Sequence, residues 1–154
     1  MLKITPFLWF DDQAEAAARF YVSVFPNSRI VAATPNKGAP GPSKTLTVQF
    51  ELDGLPVTAL NGGPMYQFNE AVSFWVSCDD QAEVDRYWTA LLAGGGEEIA
   101  CGWLKDRFGL CWQVVPKVLP ELIADPDAER AGRVLAVMMQ MKKLIIADLV
   151  AAAG

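Results

Sequence analysis

The spacing of hydrophobic and polar residues alternates between two periods along the first part of this chain. Residues 4–10 form a short, aromatic and β-rich run, which predicts a strand. The apolar side chains after it recur every three or four residues up to Phe25, and this spacing predicts a helix with one buried face. Further strands are predicted over residues 29–33, 44–52 and 55–60, with a tight turn at Asp53-Gly54. The predicted order is therefore β-α-β-β-β.

The second part of the chain shows a similar succession of patterns. Residues 71–78 predict a strand, and a helix with apolar positions at helical spacing follows it until Gly94. Two more strands are predicted over residues 98–104 and 110–115, one fewer than in the first part. The first of these segments must supply both a strand and its turn if the two parts have the same fold.

Beyond Pro116 the pattern becomes helical. A short helix is predicted over residues 118–124 and a long one over residues 127–153, whose apolar face is rich in methionine. We expect this face to pack on its own domain, and the alternative is a contact between two copies of the chain.

The two parts are linked by an internal repeat. The letters DDQAE occur at residues 11–15 and again at residues 79–83, 68 positions apart, each time where a strand runs into a helix. Asp11 or Asp12 is predicted to cap the first helix, and Asp80 with Glu83 the second. We interpret the repeat as two copies of one module that share one core.

The fold class predicted from these patterns is α+β, with two βαβββ modules and a C-terminal helical extension. We expect a single domain over residues 1–150. Its parts are module 1 at about residues 3–62, module 2 at about residues 70–116, and the C-terminal helices at about residues 117–153.

The charge and hydrophobicity of the chain exclude some classes of binding partner. The formal net charge is −5 and the chain has no basic run, which argues against nucleic acid or an anionic membrane as a partner. No apolar run reaches the roughly 18 residues of a membrane-spanning helix, and the N-terminus lacks the apolar core of a signal peptide. We therefore expect a cytoplasmic protein that is neither membrane-bound nor nucleic-acid-binding.

The cysteine and histidine content argues against several kinds of covalent, metal and catalytic site. Cys78, Cys101 and Cys111 are odd in number and lack C-x-x-C spacing, so neither a disulfide framework nor a zinc site is indicated. Buried, reduced thiols are the expectation. The chain contains no histidine, which removes the commonest general base and the imidazole metal ligand.

Three stretches resemble a known family: residues 4–11 (ITPFLWFD), 60–64 (LNGGP) and 101–109 (CGWLKDRFG). Together with the two βαβββ modules, they resemble the vicinal oxygen chelate superfamily, which includes glyoxalase I, extradiol dioxygenases and bleomycin resistance proteins. The resemblance covers almost all of residues 1–150 and is most specific for the PhnB-like branch. Members of that branch are often labelled demethylubiquinone methyltransferase.

The resemblance implies a cavity between curled sheets, where enzymes of the superfamily hold a divalent metal on four strand residues, typically His, Glu or Gln. It places these four positions at Thr5, Thr58, Ser73 and Gln113. Three hydroxyls and one neutral amide carry no negative charge and no imidazole, so they do not offset the dehydration of a divalent ion. We therefore expect no bound metal and no cofactor.

Strand alternation extends the predicted lining of the cavity, because every second residue shares a face. The residues added in this way are Phe7, Trp9, Leu60, Trp75 and Cys111. Aromatic rings beside hydroxyl and amide groups suit an aromatic or apolar small molecule. The alternative is that these rings only fill the core. Tyr66 and Phe68 are candidates for a lid, although their glycine-rich loop is also consistent with a simple linker.

A polar cluster at residues 103–107, with Lys105, Asp106 and Arg107, is either a grip for an anionic ligand or a solvated turn. The methyltransferase label implies S-adenosylmethionine, but the junction after the first strand is Asp11-Asp12-Gln13 and not a glycine-rich turn. Gly94-Gly95-Gly96 follows a helix and does not precede one. Methyl transfer is accordingly disfavoured.

The leading hypothesis is a metal-free small-molecule binding protein, with a sequestration role resembling that of the bleomycin resistance proteins. The alternative is an enzyme of the same fold acting on a small aromatic or quinone-like substrate, for which Asp106, Glu70 and Cys111 are candidate acids or bases without evident partners. A third hypothesis is an interaction module that docks through its C-terminal helix. We expect a homodimer, and whether the modules pair within one chain or swap between subunits stays open.

Overall fold

A computed structural model describes residues 2–154 of the chain. It divides into two compact units, one ending at Phe68 and the other spanning Asn69–Gly154. Within the described residues there are two four-stranded sheets and five helices, which confirms the α+β class with two βαβββ modules and C-terminal helices. The expectation that both modules share one core stays a prediction.

The first unit contains one sheet and one helix. Its elements are β1 (Phe7–Phe10), α1 (Ala14–Val24), β2 (Arg29–Pro35), β3 (Thr45–Leu52) and β4 (Leu55–Asn61). The strand order is β1-β4-β3-β2, with β1 parallel to β4 and the other pairs antiparallel. The predicted hairpin is present, since Asp53 and Gly54 have φ values of 47° and 81°, as a two-residue turn between antiparallel strands requires.

One face of this sheet forms the core of the unit with α1. Val48 and Phe50 on β3 and Val57 on β4 are almost completely buried, as is Tyr21 on the helix. Because side chains alternate along a strand, the residues between them lie on the opposite face, away from the helix. That second face carries the predicted site residues of this unit.

The predicted acidic cap of α1 is wrong. The N-cap residue is Gln13, which makes no side-chain capping hydrogen bond. Instead, Asn61 at the end of β4 accepts a hydrogen bond from the Ala14 N–H on Oδ1 at 2.8 Å. Its Nδ2 donates to Ser43 Oγ at 2.8 Å and to the Thr45 carbonyl at 2.9 Å. The buried amide of Asn61, which is distant in sequence, thus accepts the hydrogen bond that a neighbouring carboxylate was predicted to accept. It also links the start of the helix to the sheet.

The second unit repeats this arrangement and extends it. Its elements are β5 (Ser73–Cys78), α2 (Gln81–Leu92), β6 (Glu97–Glu98), β7 (Trp103–Lys105), β8 (Cys111–Pro116), α3 (Val118–Ile123), α4 (Ala128–Met138) and α5 (Ile146–Ala153). The strand order is β5-β8-β7-β6, with β5 parallel to β8. The predicted cap of α2 is confirmed, because Asp80 accepts from the Glu83 N–H at 2.8 Å.

The strand predicted over residues 98–104 is in fact two strands. The chain turns between β6 and β7, where Cys101 and Gly102 have φ values of 56° and 83°. β6 is only two residues long, so it leaves no alternating pattern in the sequence.

The single long C-terminal helix predicted over residues 127–153 is also wrong. The chain leaves the helical conformation after Met138 and resumes it at Ile146. In between, the carbonyls of Met141 and Lys142 accept hydrogen bonds from the N–H groups of Cys101 and Gly102, both at 2.8 Å. The pairing of this linker with the β6–β7 turn overrides the helical periodicity of its side chains.

Gln81 at the start of α2 holds the end of the same linker. Its Nε2 donates to the Leu144 carbonyl at 3.0 Å and its Oε1 accepts from the Ile146 N–H at 2.8 Å.

The non-helical linker between α4 and α5 allows the apolar residues on both sides of it to reach one cluster. The buried members are Val115, Leu119, Val134, Leu144, Leu149 and Ala153. The apolar face of the C-terminal helices therefore packs within its own unit. No helix in residues 2–154 is long and apolar enough to span a bilayer.

Asp106 organises the turn between β7 and β8. Its side chain is 3% exposed, and Oδ1 accepts from the N–H groups of Phe108 at 2.8 Å and Leu110 at 3.1 Å. Oδ2 accepts from the indole Nε1–H of Trp112 at 2.8 Å. A buried carboxylate bound by three donors has a structural role, because each donor would otherwise lie in the interior without an acceptor.

We predict that Asp106→Asn lowers the free energy of unfolding by about 2–3 kcal/mol, because the introduced NH₂ group faces a donor and leaves it without an acceptor. Urea denaturation followed by circular dichroism measures the change. Asp12→Asn is the matched control, since Asp12 is exposed, and it should leave stability unchanged. Equal stability of the two variants would contradict the structural role of Asp106.

We predict that Leu144→Ala costs about 2–5 kcal/mol, as truncation of a fully buried leucine does. Leu144 is completely buried, whereas Leu135 on α4 is 37% exposed, so Leu135→Ala should cost much less. The comparison by thermal or urea unfolding tests whether the C-terminal segment belongs to the core of the second unit. A small effect of both substitutions would show that it does not.

Candidate functional site

The predicted site residues of the first unit lie on the sheet face opposite α1. Phe7 pairs with Thr58 and Trp9 pairs with Leu60 across the parallel β1–β4 ladder. Phe7 is 60% exposed, while the other three are half-buried. Thr5 precedes β1 and is exposed, next to the point where the Thr58 N–H donates to the Pro6 carbonyl at 3.1 Å. β1 and β4 therefore place aromatic rings beside a hydroxyl group on one surface.

Trp9 is fixed by the loop that follows β4. Its indole Nε1–H donates to the Gly63 carbonyl at 2.9 Å. A Cβ atom placed on Gly62 would lie 2.4–2.7 Å from three ring atoms of Trp9, so only glycine leaves room for the ring there. Analysis of the sequence missed this role of Gly62, although a Gly-Gly pair directly after a strand is a signal of close backbone approach.

The two aromatic residues suggested as a lid both contact β1. Tyr66 meets Trp9 edge to face, with ring centroids 5.0 Å apart and an interplanar angle of 77°. Phe68 meets Phe10 with centroids 5.0 Å apart and an angle of 75°. Tyr66 is nevertheless 61% exposed. The loop therefore extends the aromatic surface of the first unit beyond the strand.

The second unit carries the remaining predicted residues on its own sheet face. Ser73 pairs with Cys111 and Trp75 pairs with Gln113 along the parallel β5–β8 ladder. Gln113 Nε2 donates to Ser73 Oγ at 2.8 Å. Trp75 is 54% exposed, whereas Cys111 is completely buried. A large exposed indole thus lies beside a hydrogen-bonded hydroxyl–amide pair.

The charged groups near this face are paired with each other. Lys105, the cross-strand neighbour of Cys111, forms an ion pair with Glu70 at 2.9 Å. The hydrogen bond from Lys105 and its charge hold the pKa of Glu70 below its ordinary value, and the same pair raises the pKa of Lys105. The grip on an anionic ligand suggested for residues 103–107 is not formed by Lys105, since its charge is engaged by Glu70.

Cys111 is a thiol and not a thiolate at neutral pH. Desolvation by burial raises the pKa of Cys111, and the charge of Glu70 raises it further. Burial likewise raises the pKa of Cys78 to about 12. Because the thiolate is the nucleophilic form, neither residue is activated for nucleophilic attack.

The four residues that the resemblance assigns to the superfamily's ligand positions offer poor ligands for a divalent ion. Gln113 donates its amide N–H to Ser73 and offers only the uncharged Oε1. Thr5 and Thr58 add only hydroxyl groups. Among residues 2–154, no group of three or more Cys, Asp or Glu side chains is placed to hold a metal ion. The donor set therefore does not fit the metal that the superfamily's enzymes carry.

Comparison with known proteins finds one matching family and several solved structures of similar fold. The family model described as 3-demethylubiquinone-9 3-methyltransferase matches residues 2–115. A search of curated proteins finds no match. A solved PhnB protein of Bacillus cereus, which carries the same methyltransferase description, is 28% identical with a TM-score of 0.68 and covers 75% of this chain and 99% of its own.

Two further solved structures show the fold alone because their identity is low. A protein of Pseudomonas aeruginosa is 22% identical, with a TM-score of 0.62, over 75% of this chain and 98% of that one. The fosfomycin resistance protein FosX of Listeria monocytogenes is 15% identical, with a TM-score of 0.54, over 79% of this chain and 97% of that one.

The matched region contains both βαβββ modules and ends before α3, so the C-terminal helices lie outside it. The family match spans well over half of the residues, and the fold and the three sequence stretches agree with it. The chain therefore belongs to the 3-demethylubiquinone-9 3-methyltransferase family, a PhnB-like branch of the vicinal oxygen chelate superfamily.

Proposed function

We propose that this protein binds a small, flat, aromatic or apolar molecule without the help of a metal ion, on the sheet face of either unit that carries an exposed aromatic ring, Phe7 in the first and Trp75 in the second. The observation that carries the proposal is the exposure of large aromatic side chains on these faces, 60% for Phe7 and 54% for Trp75. Exposed aromatic rings beside a few hydrogen-bonding groups are typical of ligand sites and rare elsewhere on a soluble protein.

The polar groups beside the rings favour a neutral ligand. Thr58 next to Phe7, and Ser73 with Gln113 next to Trp75, supply hydroxyl and amide groups without a formal charge. Lys105, the cross-strand neighbour of Cys111, is neutralised by Glu70. An anionic ligand would therefore find no unpaired cation among these groups to offset its desolvation.

Binding is favoured over catalysis by the state of the candidate acids and bases. Asp106 is held by three donors in the β7–β8 turn, and Glu70 is held ionised by Lys105. Cys111 is protonated at neutral pH because burial raises its pKa. Asp106 and Glu70 thus have structural partners, and Cys111 is not in the thiolate form that nucleophilic catalysis requires.

The residues also do not fit S-adenosylmethionine, which the methyltransferase description implies. The β1–α1 junction has the acidic pair Asp11 and Asp12 in place of a glycine-rich turn. The first N–H of α1, on Ala14, is bonded to Asn61 and is not available to a ligand carboxylate. We derive no methyl-transfer step for this chain.

A second candidate is an enzyme of the same fold that acts on a small aromatic or quinone-like substrate. The family description favours it, because that description names a quinone. The same aromatic faces would bind such a substrate, so this candidate differs from the first only in turnover.

The test is a titration with duroquinone, a flat quinone whose fully methylated ring resists addition of thiols. We predict saturable quenching of tryptophan fluorescence, since Trp9 and Trp75 lie on the proposed faces. Isothermal calorimetry should show that Trp75→Ala weakens binding by about tenfold through lost ring contact. Val150→Ala removes an exposed side chain of α5 and should bind as the unaltered protein does.

The proposal is contradicted if quenching does not saturate, or if the Trp75 and Val150 variants bind equally well. Loss of duroquinone absorbance in the presence of an added reductant, faster with the protein than without it and slowed in Trp75→Ala, would favour the enzyme instead.

A further inference from the structure

The pair formed by Ser73 and Gln113 specifies more about the ligand than its shape. The two residues lie on adjacent parallel strands, β5 and β8, and Gln113 Nε2 donates to Ser73 Oγ at 2.8 Å. In this arrangement the NH₂ end of the Gln113 amide points toward the Ser73 hydroxyl group and Oε1 points away from it.

The hydrogen bond leaves the Gln113 Oε1 acceptor and the Ser73 hydroxyl hydrogen for use by a ligand, together with the second N–H of Gln113. Ser73 Oγ accepts from Gln113, and no acceptor for its own hydroxyl hydrogen is found in residues 2–154. Gln113 Oε1 likewise receives no hydrogen bond from the described residues. Among those residues, every fully buried side-chain nitrogen or oxygen atom has a hydrogen-bond partner. Because Oε1 of the half-buried Gln113 has no such partner, it is not fully buried and a ligand can reach it.

The surroundings of the pair suit a flat and neutral molecule. Trp75 is two residues after Ser73 on the same face and is the cross-strand neighbour of Gln113. Its exposed indole offers a surface on which a ring can lie, next to the donor and the acceptor. Lys105 and Glu70 cancel each other's charge nearby.

We propose that this face recognises a neutral, planar ring whose edge carries a carbonyl group next to an N–H or O–H group, as a cis-lactam does. The carbonyl oxygen accepts from the Ser73 hydroxyl, and the adjacent N–H donates to Gln113 Oε1. The ring lies against Trp75. This inference rests on the proposed function and narrows its ligand class, since a plain quinone has acceptors only and would use Ser73 alone.

The test compares three probes of nearly equal shape by isothermal calorimetry with the full chain. The probe 2-quinolone has both the carbonyl and the N–H group, N-methyl-2-quinolone has only the carbonyl, and naphthalene has neither. We expect 2-quinolone to bind about tenfold more tightly than its N-methyl derivative, which is the size of effect expected for one hydrogen bond in a partly buried site.

Variants assign this preference to the pair. Gln113→Met should weaken 2-quinolone binding by about tenfold and abolish its advantage over the N-methyl derivative, because it removes the acceptor of the N–H group. Ser73→Ala should weaken both quinolones by about tenfold, because both carry the carbonyl group that Ser73 binds. The matched controls are Ser23→Ala on α1 and Gln140→Met in the linker before α5, both at exposed positions, and they should keep both affinities. Retained binding of the N-methyl derivative by Gln113→Met, and a retained advantage of 2-quinolone in Ser73→Ala, show that these proteins are folded.

The outcomes separate this inference from the function on which it rests. Equal affinity for all three probes overturns the donor–acceptor inference and leaves the flat-ring proposal standing. A preference for 2-quinolone that persists in Gln113→Met overturns the assignment to this pair. Failure of these probes and of duroquinone to bind at millimolar concentration overturns both proposals.

Discussion

The parallel pairing of the first and last strands of each module is the interaction on which the rest of the structure depends. β1 pairs with β4, and β5 pairs with β8, although each pair is separated in sequence by a helix and two further strands. Parallel strands need a long crossover connection, and the helix of that connection covers one face of the sheet. The first unit has no helix of its own on the opposite face, whereas in the second unit the C-terminal helices pack against Val115 on β8.

This pairing also decides which side chains are neighbours. Phe7 is placed beside Thr58, and Trp75 beside Gln113, only because the parallel register aligns them. The hydrogen bond between Gln113 and Ser73 depends on the same register. Each candidate surface is therefore a product of long-range strand pairing and not of a local motif.

The modules could be predicted from the sequence because their signals are local. Strand alternation, helical spacing and the DDQAE repeat each depend on residues that are close in the chain, and so does the cap of α2 by Asp80. The same alternation predicted that Phe7 and Trp9 share a face, since side chains two apart on a strand point the same way.

The features that could not be predicted depend on contacts between distant residues. Asn61 caps α1 across the sheet, and the hydrogen bonds of Gln81 and of the Cys101–Gly102 turn interrupt a segment whose own periodicity is helical. The structural role of Asp106 is also hidden, because the Trp112 indole reaches its carboxylate only once β7 and β8 pair. In these segments the hydrogen bonds between distant residues determine the conformation, and local propensity does not.

The activity named in the family description does not agree with the residues present in this chain. The family is described by a methyl transfer, yet the glycine-rich turn of such enzymes is replaced by Asp11 and Asp12. The residues predicted at the superfamily's metal positions offer hydroxyl groups and the amide of Gln113. A fold can host many activities, so the site and not the family label determines the proposal. What the fold retains here is a pair of sheet faces with aromatic rings and uncharged hydrogen-bonding groups.

The measurement that tests this account most directly is native mass spectrometry of protein purified without added metal, before and after addition of duroquinone. We predict a chain that carries no stoichiometric divalent ion and gains the mass of duroquinone in a saturable manner. A stoichiometric metal ion that is lost in Gln113→Met, with no duroquinone adduct, would contradict metal-free binding and would assign the face to metal-dependent chemistry.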